Sequence, residues 1–201
     1  MSATSPRATR SLRFSEIVML AFVGVACSAL YMVWWQPYEM VSAVHPALGE
    51  AVTGIWYIAS ILAAYIIQKP WVAFWAELIA ASGELLLGGP GALQLLAYGG
   101  LQGLGAEAAF ALVRYRRFDA PVLALSGVLA ALASIPLDAA FGYLTLTPGT
   151  LATALTVRLL SGAVLAGLAG KVIVDGLVRT GVLNAYAVVR RRRDSDAGMA
   201  G

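Results

Sequence analysis

Five ionisable side chains stand inside otherwise apolar runs of this sequence: Glu77, Glu84, Glu107, Asp138 and Arg158. An ionised group in a greasy segment is costly, so one that persists there faces a cavity, a charged partner or a ligand. Glu77 and Glu84 are seven residues apart, which puts both on one face of a helix. Asp138 and Arg158 fall at similar depths on successive segments, where they either pair in a structural salt bridge or contact a ligand directly. Glu84 has no cation at its depth other than Arg158, while Trp34, Trp35, Tyr38, Trp56, Tyr57, Tyr98 and Tyr143 are placed to approach the same half. A carboxylate among aromatic rings suits a flat ligand that is cationic or bears an amine, through ion pairing, hydrogen bonding and ring-face attraction. The expected binding residues are therefore Glu84, Trp56, Tyr98, Gln102, Asp138, Tyr143, Trp34 and Tyr38. For Trp34 and Trp35 an interfacial aromatic belt is the equal alternative.

Other chemistry finds little support. The run Gly99-Gly100-Leu101-Gln102-Gly103-Leu104-Gly105 looks like a phosphate loop, yet it lies within an apolar segment with no preceding strand. Gly170-Lys171 is followed by Val172 and lacks the glycine spacing of an ATP-binding loop. The only histidine, His45, lies between Glu39 and Glu50, too few ligands for a metal. No nucleophile, base and orienting acid form a set, so neither enzyme activity nor a cofactor or metal is expected.

The elements that position these groups are spanning helices. Hydrophobic residues make up 60% of the 201 and charged ones only 12%, against about 25% in a soluble domain. Six apolar stretches, at about 16–35, 50–68, 71–88, 92–113, 121–143 and 151–178, approach the ~20 residues a membrane crossing needs. Turn-formers separate them: Pro37 and Pro46, then Lys69-Pro70, Gly88-Gly89-Pro90-Gly91, Asp119-Ala120-Pro121 and Thr147-Pro148-Gly149. Pro136 interrupts the fifth stretch two residues before Asp138, and a mid-helix proline in lipid favours a polar cavity beside it. The expected fold is an all-α integral membrane protein, a six-transmembrane-helix bundle. Its domains are a basic tail at 1–15, the bundle at 16–180 and a basic tail at 181–201. The single cysteine, Cys27, precludes an intrachain disulfide and reads as a small core residue.

Charge placement sets the orientation. Thirteen of the 14 basic residues fall in the N-terminal tail, the second and fourth loops and the C-terminal end, and only Arg158 stands apart. Cytoplasmic loops collect Lys and Arg, so both termini are expected in the cytoplasm, with the first, third and fifth loops outside. Membrane lipid rather than nucleic acid is the surrounding partner. Small residues four apart, Gly99 with Gly103, Ala163 with Gly167, Ala166 with Gly170 and Gly24 with Ser28, mark close helix contact within the chain or with a partner.

Several segments resemble one family specifically. Tyr38-Glu39-Met40, Gly54-Ile55-Trp56-Tyr57-Ile58-Ala59-Ser60, Ala63-Ala64-Tyr65-Ile66-Ile67-Gln68-Lys69-Pro70 and Glu77-Leu78-Ile79-Ala80-Ala81 with Glu84 are similar to the YkoE family. So are Gln102-Gly103-Leu104-Gly105-Ala106-Glu107-Ala108, Arg158-Leu159-Leu160-Ser161-Gly162-Ala163 and Gly181-Val182-Leu183-Asn184. The resemblance implies a substrate-binding (S) subunit of an energy-coupling factor (ECF) type ABC importer in a bacterial cell membrane. It also implies an outward-facing site for thiamin or its hydroxymethylpyrimidine precursor, and a separate T subunit with two ATPase subunits. In S subunits the first helix meets the T subunit through small residues, commonly alanines four apart. Here Ala21 is followed by Val25, and Gly24 with Ser28 is the nearer match. The readings from other classes are an intramembrane enzyme or a stand-alone proton-coupled carrier using the buried carboxylates.

Overall fold

The computed structural model describes residues 11–91, 93–142 and 146–192, the Pro46 side chain excepted. Among these every regular element is helical. The chain runs through α1 (Phe14–Val44), α2 (Pro46–Gly49), a 3-10 stretch (Glu50–Tyr57), α3 (Ile58–Ile67), α4 (Val72–Leu86), α5 (Gln94–Leu112) and α6 (Ala120–Ala140). It ends in α7 (Pro148–Ser161), a π-helical stretch (Gly162–Leu168) and α8 (Ala169–Arg179), which follow one another without a break. Among the described residues four runs are long and apolar enough to cross a membrane: Phe14–Val44, Ala47–Ile67, Ala120–Ala140 and Pro148–Arg179. Between them lie α4, with 15 residues, and α5, with 19, the elements that carry Glu77, Glu84 and Glu107.

Two local features depart from the sequence expectation. The first helix does not stop near Pro37 but continues to Val44, so its 31 residues span ~46 Å. Proline removes one backbone hydrogen bond. Opposing that loss, Trp35 and Tyr38 on the same turns pack edge-on against each other and against Trp56. The second feature is the 3-10 geometry of Glu50–Tyr57, where the apolar pattern suggested ordinary helix. His45 opens this region by accepting the Ala47 N–H through Nδ1 at 3.2 Å, so the lone histidine serves as a helix cap.

Close approach of backbones holds the bundle together, as expected where lipid weakens the hydrophobic drive between helices. A Cβ on Gly127 would lie 2.0 Å from the Gly162 carbonyl oxygen, so α6 and the π-helical stretch meet backbone to backbone. On α5, Gly99 abuts Ala81 and Gly103 abuts Phe74, both on α4. Gly24 and Ser28 are buried against the same helix, Gly24 under Ile79 and Ser28 opposite Gly83. Their four-residue spacing thus serves contact within the chain, which removes them as a free docking face, whereas Ala21 is exposed.

At the end of the bundle holding the basic residues, ion pairs link the elements. Lys69 bridges to Glu16 at 2.7 Å and donates to the Ser11 carbonyl at 2.8 Å. Asp175 is met by Lys171 at 2.5 Å, by Arg192 and by the Tyr65 hydroxyl. Leu183, Val188 and Val189, within the stretch read as a tail, are buried in the core.

The buried thiol of Cys27 is a built-in reporter of unfolding, since no other cysteine competes for a thiol-reactive dye. Gly127→Val is expected to destabilise by ~1–3 kcal/mol through overpacking. In a dye-based melt this appears as a lower midpoint, whereas Gly176→Ala, with nothing within 4 Å, leaves the midpoint unchanged or raises it.

Candidate functional site

Helical spacing brings one side chain per turn from several elements to a common cavity of about 560 Å³. From α1 come Tyr31, Trp35, Tyr38 and Ser42, at intervals of four, three and four. From α4 come Glu77, Ala81 and Glu84, and from α5 Leu95, Tyr98, Gly99 and Gln102. The 3-10 stretch contributes Tyr57 and, three apart, Glu50, Thr53 and Trp56, which three residues per turn stack on one line. Ser134 and Asp138 of α6 and Ala154, Leu155 and Arg158 of α7 complete the wall, with Pro90, Gly91 and Leu146 near one end. Pro136 points to the exposed side of α6 while its neighbours Ser134 and Asp138 line the cavity.

Two polar centres face this space. At the first, the buried Glu84 carboxylate accepts the indole N–H of Trp35 at 2.5 Å and that of Trp56 at 3.3 Å, both on Oε1. Trp35, Trp56 and Tyr38 form a mutually edge-on cluster with centroids 5.1 to 5.8 Å apart. Rings so arranged present faces to a cation and edges to a carboxylate. At the second centre, Arg158 forks onto Glu50, Nε to Oε2 at 2.6 Å and Nη2 to Oε1 at 2.7 Å. Its Nη1 contacts Asp138 and reaches the Ser134 hydroxyl at 3.4 Å. The other Asp138 oxygen accepts the Tyr98 hydroxyl at 2.7 Å.

The remaining buried acids have a different surrounding. Glu77 reaches the cavity floor but is bonded by the Tyr31 hydroxyl at 2.8 Å and the Ser60 N–H at 3.0 Å, in the first turn of α3. Glu107 lies outside the cavity lining. It accepts the N–H groups of Trp71, Ala73 and Phe74 at 2.5, 2.9 and 3.3 Å, and the Tyr115 hydroxyl at 2.8 Å. Helix N-termini leave unpaired N–H donors, so Glu107 acts as the acceptor for the start of α4.

Of the residues expected from sequence, Glu84, Trp56, Tyr98, Gln102, Asp138 and Tyr38 all line the cavity. Trp34 does not; its indole N–H donates to the Val52 carbonyl at 2.9 Å, and the adjacent Trp35 takes the cavity position. Tyr143 falls outside the described residues. Glu50 was missed as a cavity residue, since it pairs with a side chain 108 positions away and no local spacing announces that. Tyr31 and Ser42 were also missed, although their spacing from Trp35 and Tyr38 marks a single helix face.

Residues 15–133 match the protein family described as ABC-type cobalt transport system, permease component. The chain is 39% identical over 181 residues, 89% of its own length and 91% of the relative's, to the putative HMP/thiamine permease protein YkoE of Bacillus subtilis (strain 168). A solved structure described as the crystal structure of an S-component of ECF transporter superposes with a TM-score of 0.89 at 37% identity, covering 94% of this chain and 98% of that one. The helical fold and these matches define a multi-pass membrane protein of the S-component class, a substrate-binding transporter subunit and not an enzyme. The chain belongs to this family of ABC-type permease components and is a YkoE-type S-component.

The contrast between scaffold and cavity acids is open to measurement. Glu107→Ala strips the acceptor from three backbone N–H groups, each worth ~1–3 kcal/mol when left buried and unpaired. Amide hydrogen exchange over residues 71–74 is expected to accelerate by well over tenfold, with Glu107→Gln, which keeps a carbonyl acceptor, intermediate.

Proposed function

We propose that this chain captures thiamin or its hydroxymethylpyrimidine precursor in the cavity and delivers it through an ECF T subunit and two ATPase subunits. The observation that carries this reading is Glu84, a carboxylate held between two indoles at the wall of a cavity of about 560 Å³. That volume is within the ~300–1,000 Å³ of small-molecule sites. The four acidic side chains lining the cavity, Glu50, Glu77, Glu84 and Asp138, face a single guanidinium, a balance that favours a cation. Thiamin has a cationic thiazolium and an aminopyrimidine able to hydrogen-bond a carboxylate and stack on a ring. The name of the Bacillus subtilis relative supports the same substrate class.

In this reading Glu84 Oε2 takes the aminopyrimidine, both indoles being on Oε1. Trp56, Tyr38 and Tyr98 supply ring faces and edges, Gln102 a deeper polar contact, and Asp138 closes the far wall through Tyr98 and Arg158. Tyr143, outside the described residues, is retained from the sequence as a further ring contact. Six crossings with both termini cytoplasmic make the cavity open outward. Supporting that orientation, the loop residues Pro90, Gly91 and Leu146 near the cavity belong to segments without Lys or Arg. With Gly24 and Ser28 committed to α4, the exposed side of α1 around Ala21 is the face left for the T subunit. A proton-coupled carrier has less support, because Glu77 and Glu107 are engaged by backbone donors and hydroxyls.

Titration of the purified protein with thiamin, read by quenching of Trp35 and Trp56, tests the assignment. Glu84→Gln is expected to weaken binding by at least about tenfold, equivalent to ~1.4 kcal/mol. Wild-type affinity in that variant removes Glu84 from the site.

A further inference from the structure

The Glu50–Arg158–Asp138 cluster lines the cavity alongside the Glu84 carboxylate and its rings. Among the described lining residues Arg158 is the only cation, and all three of its guanidinium nitrogens are already engaged. Glu50 takes the Nε and Nη2 edge with both oxygens, and Asp138 with Ser134 takes Nη1. The Arg158 side chain is only 12% exposed and those of Glu50 and Asp138 13% and 5%, so these contacts are largely shielded from water. Without Glu77, whose oxygens are bonded into the wall, three acids still stand against this one cation.

We infer that this cluster makes the cavity selective for the unphosphorylated form of its ligand, with Glu50 and Asp138 as the specificity-determining residues. The inference rests on the substrate class proposed above. A phosphate monoester carries about −1.5 to −2 charges at pH 7 and is held in proteins by forked arginine bonds. Here the fork is filled by a carboxylate. A phosphate taking the Nε and Nη2 fork of Arg158 has to displace Glu50 and leave that carboxylate buried without its partner, and at Nη1 it competes with Asp138 and Ser134. The N-terminus of α5, next to the lining residue Gly91, offers a partial charge of about +0.5, too little to reverse the surplus of acids. A free hydroxyl group meets no such penalty, because it carries no charge into an acidic cavity.

The test compares thiamin with thiamin monophosphate, and hydroxymethylpyrimidine with its phosphate, on the full chain in detergent at fixed salt. For the wild type, the phosphorylated member of each pair that binds is expected to be weaker by about a hundredfold, the size of an uncompensated like-charge encounter. Glu50→Gln, which lowers the acid surplus and loosens the fork on Arg158, is expected to narrow that ratio by about tenfold, and Asp138→Asn to narrow it in the same direction. Binding of the free and phosphorylated compounds within about threefold in the wild type overturns the inference while leaving the substrate class standing. Failure of thiamin and hydroxymethylpyrimidine both to bind overturns the substrate class and this inference with it. An unchanged ratio in both variants, each still binding the free compound, overturns the role of the cluster. Should either variant unfold, seen as Cys27 reacting with dye at once, the wild-type ratio decides alone.

Discussion

A carboxylate withdrawn from water must be met by donors, and the helices of this chain are arranged around that requirement. Its buried acids meet it in two ways. Glu107 is satisfied largely by backbone N–H groups at the start of α4, and Glu77 by one such group at the start of α3 together with the Tyr31 hydroxyl, so donors that a helix leaves unpaired and acceptors that burial leaves unsolvated cancel one another. Glu84, Glu50 and Asp138 are satisfied by indole, guanidinium and hydroxyl groups on other elements, and those side chains need room to stand. The same desolvation cost is therefore met by backbone donors away from the cavity at Glu107, by side chains around the cavity at Glu84, Glu50 and Asp138, and by one donor of each kind at Glu77 on the cavity lining.

The 3-10 stretch Glu50–Tyr57 is where the two arrangements join. Its three-residue period aims Glu50, Thr53 and Trp56 together at the cavity, whereas a regular helix would rotate the third by about 120° relative to the first over six residues. Ser161, at the end of α7, clamps the stretch from behind: its hydroxyl donates to the Ala51 carbonyl at 2.8 Å and accepts the Gly54 N–H at 2.9 Å. One hydroxyl thereby sets the distance between the segment bearing Glu50 and Trp56 and the helix bearing Arg158. The π-helical stretch begins at the next residue, Gly162, whose backbone lies against Gly127.

How much of this was legible in the sequence follows from the range of each interaction. The helical class and its apolar stretches rest on composition and are read directly. The Asp138–Arg158 pair was readable because depth along successive segments is a sum of rises, which sequence counts well. Rotation is read less well, since one residue turns a helix by about 100°, and so Trp34 was preferred where Trp35 faces the cavity. Continuation of α1 through Pro37 depends on ring packing with Trp56, and the Glu50–Arg158 fork on a fold-wide contact, neither of which has a local signature. The small-residue spacing at Gly24 and Ser28 was a true signal of close contact, but spacing alone does not say whose helix is touched.

Those small residues also account for where the cavity lies. Gly99 and Gly103 let α5 close onto α4, Gly24 and Gly83 let α1 and α4 close, and Gly127 with Gly162 seals α6 against the sixth apolar stretch. Such contacts leave no space for a ligand and rely on dispersion between backbones, the main attraction available between helices in lipid. Toward the cavity the same bundle carries Trp35, Tyr38, Tyr98 and Arg158 instead, and the helices cannot close over side chains of that size. The bundle is consequently tight on some helix faces and hollow between others, and the hollow side is the one whose walls carry the acids. Recognition and packing are thus not separate layers of this protein: the same helices that make it compact hold its cavity open, residue size deciding which occurs at each turn.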